Sequence, residues 1–260
     1  MSGFANNSKD SPLSGMSSPA QDPPKKRGLW NYLFGGKQAP TTPARSEDDN
    51  RNMAASPADT SSPAHSRTSS ACYVPVVLGT ESLVFKSLIL TQAHATTLMA
   101  HLPESLRMQN FKLAYSLLND GSDFSSFYHK ARSHKSTVLL IQTTDGAEFG
   151  CYSASTWHEE SSYYGTGVSF MFRFKRESAD DIDVYRWTGK NALFQHGTDA
   201  TIAVGGGGEG FGIVLEKDFS ACASYPCETY GNPVSLASLH EAEAAATCGV
   251  ANVELWSFQL

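Results

Sequence analysis

The sequence predicts an α+β domain, with antiparallel β-sheets packed as a sandwich, behind a disordered N-terminal tail. Three observations predict it. Composition breaks near residue 70, because residues 1–70 hold 8 of the 12 prolines but only 4 of the 28 aromatic residues. Apolar residues between 91 and 131 recur at helical spacing, and beyond Ser136 the pattern changes to short branched or aromatic runs divided by Gly, Asn and Asp. Helices come first, strands follow, and no long helix separates the strands, which is the order of an α+β domain.

Residues 1–70 are built from Ser, Pro, Asn, Thr and Ala, a composition that buries too little apolar area to offset the entropy lost on ordering. Ser11, Ser18, Thr42, Ser56 and Ser62 each precede a proline and are candidates for proline-directed phosphorylation. One segment, 25–34, departs from this pattern: Lys25, Lys26 and Arg27 run into Trp30, Tyr32, Leu33 and Phe34. Trp30 with Leu33 is similar to short aromatic-x-x-aliphatic motifs that bind autophagy receptors, although the flanks are basic where such motifs have acidic ones. A membrane interface or a partner's groove suits the same residues, and the alternative is a segment that folds back or has no role.

Residues 71–260 form the domain. Ala95, Leu98, Met99 and Leu102 mark a first helix with Thr91 as N-cap and Pro103 as its stop. A second helix is expected over 104–118, with Leu106, Leu113 and Leu117 on one stripe and Gly121 as its left-handed exit. A third, capped by Ser122, carries Phe124, Phe127, Tyr128 and Ala131 on one face. Segments 137–144 and 147–153 flank Asp145-Gly146 and read as a hairpin. Phe170, Phe172 and Phe174 alternate with Met171, Arg173 and Lys175, a strand with one aromatic face and one partly wetted by charge. Segments 184–187, 201–204, 211–216 and 253–258 complete the predicted strands.

Charge and cysteines bound the function. The tail carries 8 basic and 6 acidic residues and the body 12 and 20, so the body is acidic and nucleic acid is not an expected partner. Cys72, Cys151, Cys222, Cys227 and Cys248 are odd in number and irregular in spacing, which reads as free thiols in a reducing compartment. No apolar run approaches the ~18 residues of a membrane span. Gly205-Gly206-Gly207-Gly208-Glu209-Gly210 formally holds the GxGxxG of a dinucleotide loop, but a strand pattern follows where a helix is required. Cys222 and Cys227 lack a second ligand pair, and His240-Glu241 lacks the second histidine of a metalloprotease helix. No metal or cofactor is expected, and no catalytic motif stands out. Cys151 paired with His129 or His158 is the nearest thing to a nucleophilic dyad.

Seven blocks in order resemble the TLDc-domain family: Tyr115 to Ser122, Phe149-Gly150-Cys151-Tyr152, Tyr164-Gly165-Thr166-Gly167, Tyr185 to Asn191, Gly205 to Gly208, Cys227 to Asn232, and Val253 to Phe258. A disordered N-terminus followed by such a domain has the layout of the short oxidation-resistance proteins. The resemblance implies a helix-flanked β-sandwich, resistance to oxidative stress, and binding to the peripheral catalytic sector of the vacuolar proton-pumping ATPase, whose assembly some members regulate. It implies a non-enzymatic, monomeric interaction module in the cytoplasm, peripheral at vacuolar or lysosomal membranes, with mitochondrial placement as the alternative. On this reading Gly165, Gly206, Gly207, Gly208, Gly231 and Asn232 form a partner-facing rim or are simply turns. The rival reading is a redox-active or hydrolytic enzyme using Cys151, Cys227 or Glu254, the last matching a polar position of the family. Phe111 stands where the family commonly has tryptophan, and the link before Val253 is rich in alanine.

Overall fold

The structure is a computed structural model that describes residues 74–78, 87, 89–176, 181–208, 210–239 and 245–260. The tail expected over 1–70, with Trp30 and Leu33, lies outside the described residues, as does Cys72.

Helix α1 (Gln92–His101) forms where the periodicity places it, and the Thr91 hydroxyl accepts from the His94 N–H at 3.1 Å. The second helix expected over 104–118 does not form. A 3-10 turn (Glu104–Leu106) gives way to a strand, Asn110–Ser116, and then to a single helical turn, α2 (Leu117–Asp120). The physical reason is a β-bulge. The strand pairs Leu113 with Trp256 and Tyr115 with Leu255, leaving Ala114 over, and one extra residue sends the following side chains to the opposite face. Phe111 and Leu113 therefore pack on one side of the sheet and Tyr115 on the other, a pattern without a clean period of two. Helix α3 (Phe124–Ala131) buries the expected Phe124, Phe127, Tyr128 and Ala131, but its cap is Asp123, whose Oδ1 accepts from the Ser125 N–H, rather than Ser122.

The strands are β1 (Val77–Leu78), β2 (Asn110–Ser116), β3 (Thr137–Thr143), β4 (Glu148–Ser153), β5 (Glu160–Tyr164), β6 (Phe170–Phe174), β7 (Ile182–Arg186), β8 (Gln195–Gly197), β9 (Thr201–Val204), β10 (Ile213–Glu216), β11 (Ala221–Ser224) and β12 (Ala246–Gln259). One sheet runs β1-β2-β12-β3-β4-β6-β7 and the other β5-β8-β9-β10-β11-β12. All pairs are antiparallel except β1 with β2. Of the alanine-rich link before Val253, residues 246–252 belong to β12: residues 246–249 pair with β11 in the second sheet, and from Val250, across a register shift at Val250/Asn252, the strand pairs with β3 and then β2 in the first.

Between the sheets lies the main core, where Leu139, Ile141, Phe149, Met171, Val253 and Leu255 meet Ile202, Val204, Ile213 and Leu215. On the outer face of the first sheet, Val138, Leu140, Phe170, Phe172, Phe174 and Trp256 pack under Ala95, Leu98, Met99 and Leu102 of α1. The expectation for β6 holds: its phenylalanines form the buried aromatic face, here under α1, while the other face carries the buried Met171 and partly wetted charge. Only Arg173, paired with Asp183 at 3.2 Å, and Lys175 keep partial contact with water. Among the described residues no helix is long and apolar enough to cross a membrane.

Candidate functional site

Four connections converge at one end of the sandwich: 165–169, 187–194, 205–212 and 225–232. Their glycines are the points at which backbones interleave. A Cβ on Gly206 would sit 2.9 Å from the Tyr163 hydroxyl, and one on Gly207 would meet Asn191 Nδ2 and Glu228 Oε2, each at 2.8 Å. A Cβ on Gly231 would touch Thr188 at 3.0 Å, and one on Gly167 would lie inside the Trp187 ring at 2.2 Å. Gly207 (φ 79°) and Gly231 (φ 66°) also hold left-handed backbone that side chains disfavour.

Thr229, fully buried, is the hub. Its hydroxyl accepts from the Gly206 N–H at 2.9 Å and donates to Asn191 Oδ1 at 2.7 Å. The backbone of Thr188 donates to Thr229 O at 2.9 Å, its hydroxyl donates to Glu228 O at 2.6 Å, and Trp187 Nε1 donates to Asn191 O at 2.7 Å. In the sequence these residues stand out only as parts of signature blocks. Their role rests on side-chain reach across connections that are far apart in sequence, which spacing does not encode.

The structure brings all six expected rim residues to this end and divides them. Gly208 and Gly231 are exposed, Gly165 and Gly207 half-buried, and Gly206 buried. Asn232, 2% exposed, is internal: it accepts from the Cys227 N–H at 3.2 Å and donates to Tyr225 O and Val234 O, both at 2.9 Å. It shapes the turn that displays Gly231. The outward surface is completed by Trp187, 45% exposed, Val168, 54% exposed, and the exposed Lys190 and Glu228.

The residues of the rival, enzymatic reading lie elsewhere. Cys151 is 1% exposed and burial pushes its thiol well above the ordinary range; Cys227 is pushed up to about 11, again by burial. An activated thiol shifts the other way. His129 and His158 do come together, with Ser125, Tyr128, Arg132, Trp157 and Glu159, around an open cavity of about 300 Å³, but Cys151 does not line it. Glu254, 1% exposed on the outer face of β12, accepts from Ser87 Oγ at 2.8 Å, Trp256 Nε1 at 3.0 Å and Asn252 Nδ2 at 3.2 Å. Its carboxylate ties β12 to the segment before α1. The glycine loop after β9 leads into β10, which pairs back antiparallel to β9, so a hairpin stands where a dinucleotide loop would need a helix. Among the described residues no three His, Cys, Asp or Glu side chains converge on a metal site.

The family model of the TLDc domain matches residues 83–259 of this chain. Nuclear receptor coactivator 7 of Gallus gallus is 32% identical over 174 residues, which cover 66% of this chain and 18% of that protein. Oxidation resistance protein 1 is 28% identical in Rattus norvegicus and 31% in Xenopus laevis, in each case over 163 residues, covering 62% of this chain and 18% of the relative. The chain thus aligns with less than a fifth of the length of these relatives.

Proposed function

Because this chain belongs to the TLDc-domain family, we propose that it is a non-enzymatic interaction module contributing to oxidative-stress resistance. Its partner on this reading is the peripheral sector of the vacuolar proton-pumping ATPase, whose assembly it regulates from the cytoplasmic side. The oxidative-stress role is supported by the similarity to oxidation resistance protein 1. The binding role is supported by one observation above all: three connections, 187–194, 205–212 and 225–232, are locked together by Thr229 and end in an exposed rim of Trp187, Lys190, Gly208, Glu228 and Gly231. A surface fixed by buried hydrogen bonds loses little conformational freedom on docking. The acidic body favours a basic surface on the partner.

Capture of the purified peripheral sector by the full chain tests this. Binding at low salt that weakens with salt, and that is lost in Trp187→Ala and Lys190→Glu variants, supports it. Absence of binding at low salt sinks the proposal, and binding untouched by both substitutions moves it off this rim.

A further inference from the structure

Two cysteines that are far apart in the chain face each other across a strand pair. In the β11–β12 ladder, Cys222 is the direct partner of Cys248. Both side chains point to the main core: Cys222 is fully buried in it and Cys248, half-buried, packs against it. Both are thiols in this structure. Further along the same ladder the Val250 N–H donates to Ser220 O at 3.4 Å. Hydrogen-bonded and non-hydrogen-bonded pairs alternate along an antiparallel ladder, so Cys222 and Cys248 occupy a hydrogen-bonded position with Cα atoms about 5.5 Å apart. That separation falls at the commonest value for disulfides, about 5.5–6 Å.

We propose that Cys222 and Cys248 form a peroxide-oxidisable dithiol that closes to a disulfide across β11 and β12. Cys248 is the entry point because it is the half-exposed member, its Sγ lying 3.3 Å from Ala237 O. Its thiolate attacks hydrogen peroxide: an S–O bond forms, the O–O bond breaks, and hydroxide leaves to take up the proton the thiol released. The sulfur of Cys222 then attacks that of Cys248. The S–S bond forms, the S–O bond breaks, and the hydroxyl departs as water with the Cys222 proton. Two thiols give up two electrons, and one peroxide becomes two waters. Burial pushes the Cys222 thiol up to about 12, which keeps it protonated and leaves Cys248 as the sulfur that meets peroxide first.

Cross-strand Cβ atoms stand about 4.5–5.5 Å apart, whereas a disulfide asks for about 3.5–4.5 Å. Closure therefore draws the strands together, and the strained bond is readily reduced. The link is a reversible one. It closes a ring of chain that contains Cys227, Thr229 and Gly231, so oxidation tightens the segment that carries two of the rim residues, Glu228 and Gly231. The dithiol stands independently of what docks there.

Treating the reduced full chain with hydrogen peroxide, blocking residual thiols and mapping peptides without reductant tests this. The expected result is loss of two thiols, a mass lower by two hydrogens, a cross-linked peptide joining Cys222 to Cys248, and full reversal by dithiothreitol. Cys248→Ser, at a half-exposed position, should leave Cys222 alkylatable after denaturation at the same peroxide dose. A sulfinic acid on Cys248 beside an intact Cys222 thiol overturns the proposal, and so does a cross-link formed by another pair such as Cys72 with Cys248. The peptide map of the unsubstituted chain decides the matter even if a variant misfolds.

Discussion

Replacing Thr229 with valine removes one hydroxyl and keeps the volume of the side chain. The Gly206 N–H, buried and bonded to that hydroxyl at 2.9 Å, is left without its acceptor, which costs about 1–3 kcal/mol. The 2.7 Å bond to Asn191 Oδ1 is also lost, worth about 0.5–1.5 kcal/mol. Asn191 Oδ1 keeps the Leu193 N–H at 3.2 Å, so no second orphan arises. The sum is about 1.5–4.5 kcal/mol, a sizeable share of the roughly 5–15 kcal/mol that holds a domain folded. Urea unfolding followed by far-UV circular dichroism should show the midpoint falling by about 1 M or more at unchanged slope. Thr229→Ser keeps the hydroxyl and loses one methyl, so it should cost about 1 kcal/mol. If the valine and serine variants unfold within about 0.5 kcal/mol of each other, the hydroxyl is not the hub described above.

Other perturbations separate crowding from backbone strain and burial from charge. Gly150→Ala would place a Cβ 1.9 Å from the backbone oxygen of Leu139 in the paired strand, so soluble expression should collapse, whereas Gly146→Ala, at φ 90° in open space, should lower stability by only about 1–2 kcal/mol. Cys227 stays neutral in the folded state to about 11, while an unfolded thiol ionises near about 8.5. Its contribution to stability is therefore complete below about pH 8.5 and is lost as pH rises toward 11. Urea midpoints at pH 8 and 10.5 should show this fall, and Cys227→Ala should flatten it in part, since Cys222, pushed up to about 12 by burial, acts with the same sign. His196 behaves oppositely: burial lowers its pKa, so stability should drop as pH falls below about 6.5, and His196→Gln should reduce that drop.

Much of the fold was legible because local and global signals agreed. The Asp145-Gly146 turn, the aromatic repeat of β6 and the apolar face of α3 each state their structure within a few residues. The failures have physical causes of their own. Residues 110–116 read as helix because the bulge at Ala114 changes which face is buried midway. Strands β5, β8 and β11 leave no strand pattern in the sequence because Glu160–Tyr164 exposes most of its side chains, Gln195–Gly197 is polar and short, and Ala221–Ser224 is built of small residues. At the candidate site, the glycines announced turns. Which of them face outward, and the part of Thr229 in fixing them, depended on contacts between connections up to 38 residues apart. The Cys222–Cys248 pairing was hidden for the same reason, since strand register is a property of the assembled sheet.

Strand β12 also governs when this domain can assemble. It lies at the centre of the first sheet, between β2 and β3, and forms one margin of the second, beside β11. Of the elements described, it is the last to be translated. Until it arrives, β2 and β3 have an unfilled slot between them and Val138, Leu140 and Tyr115 face water, so the nascent chain must wait with its adhesive strands open. Its pairings with β2, β3 and β11 then form in one late, long-range step, a topology that favours slow folding and makes the growing polypeptide dependent on protection while it is still being made.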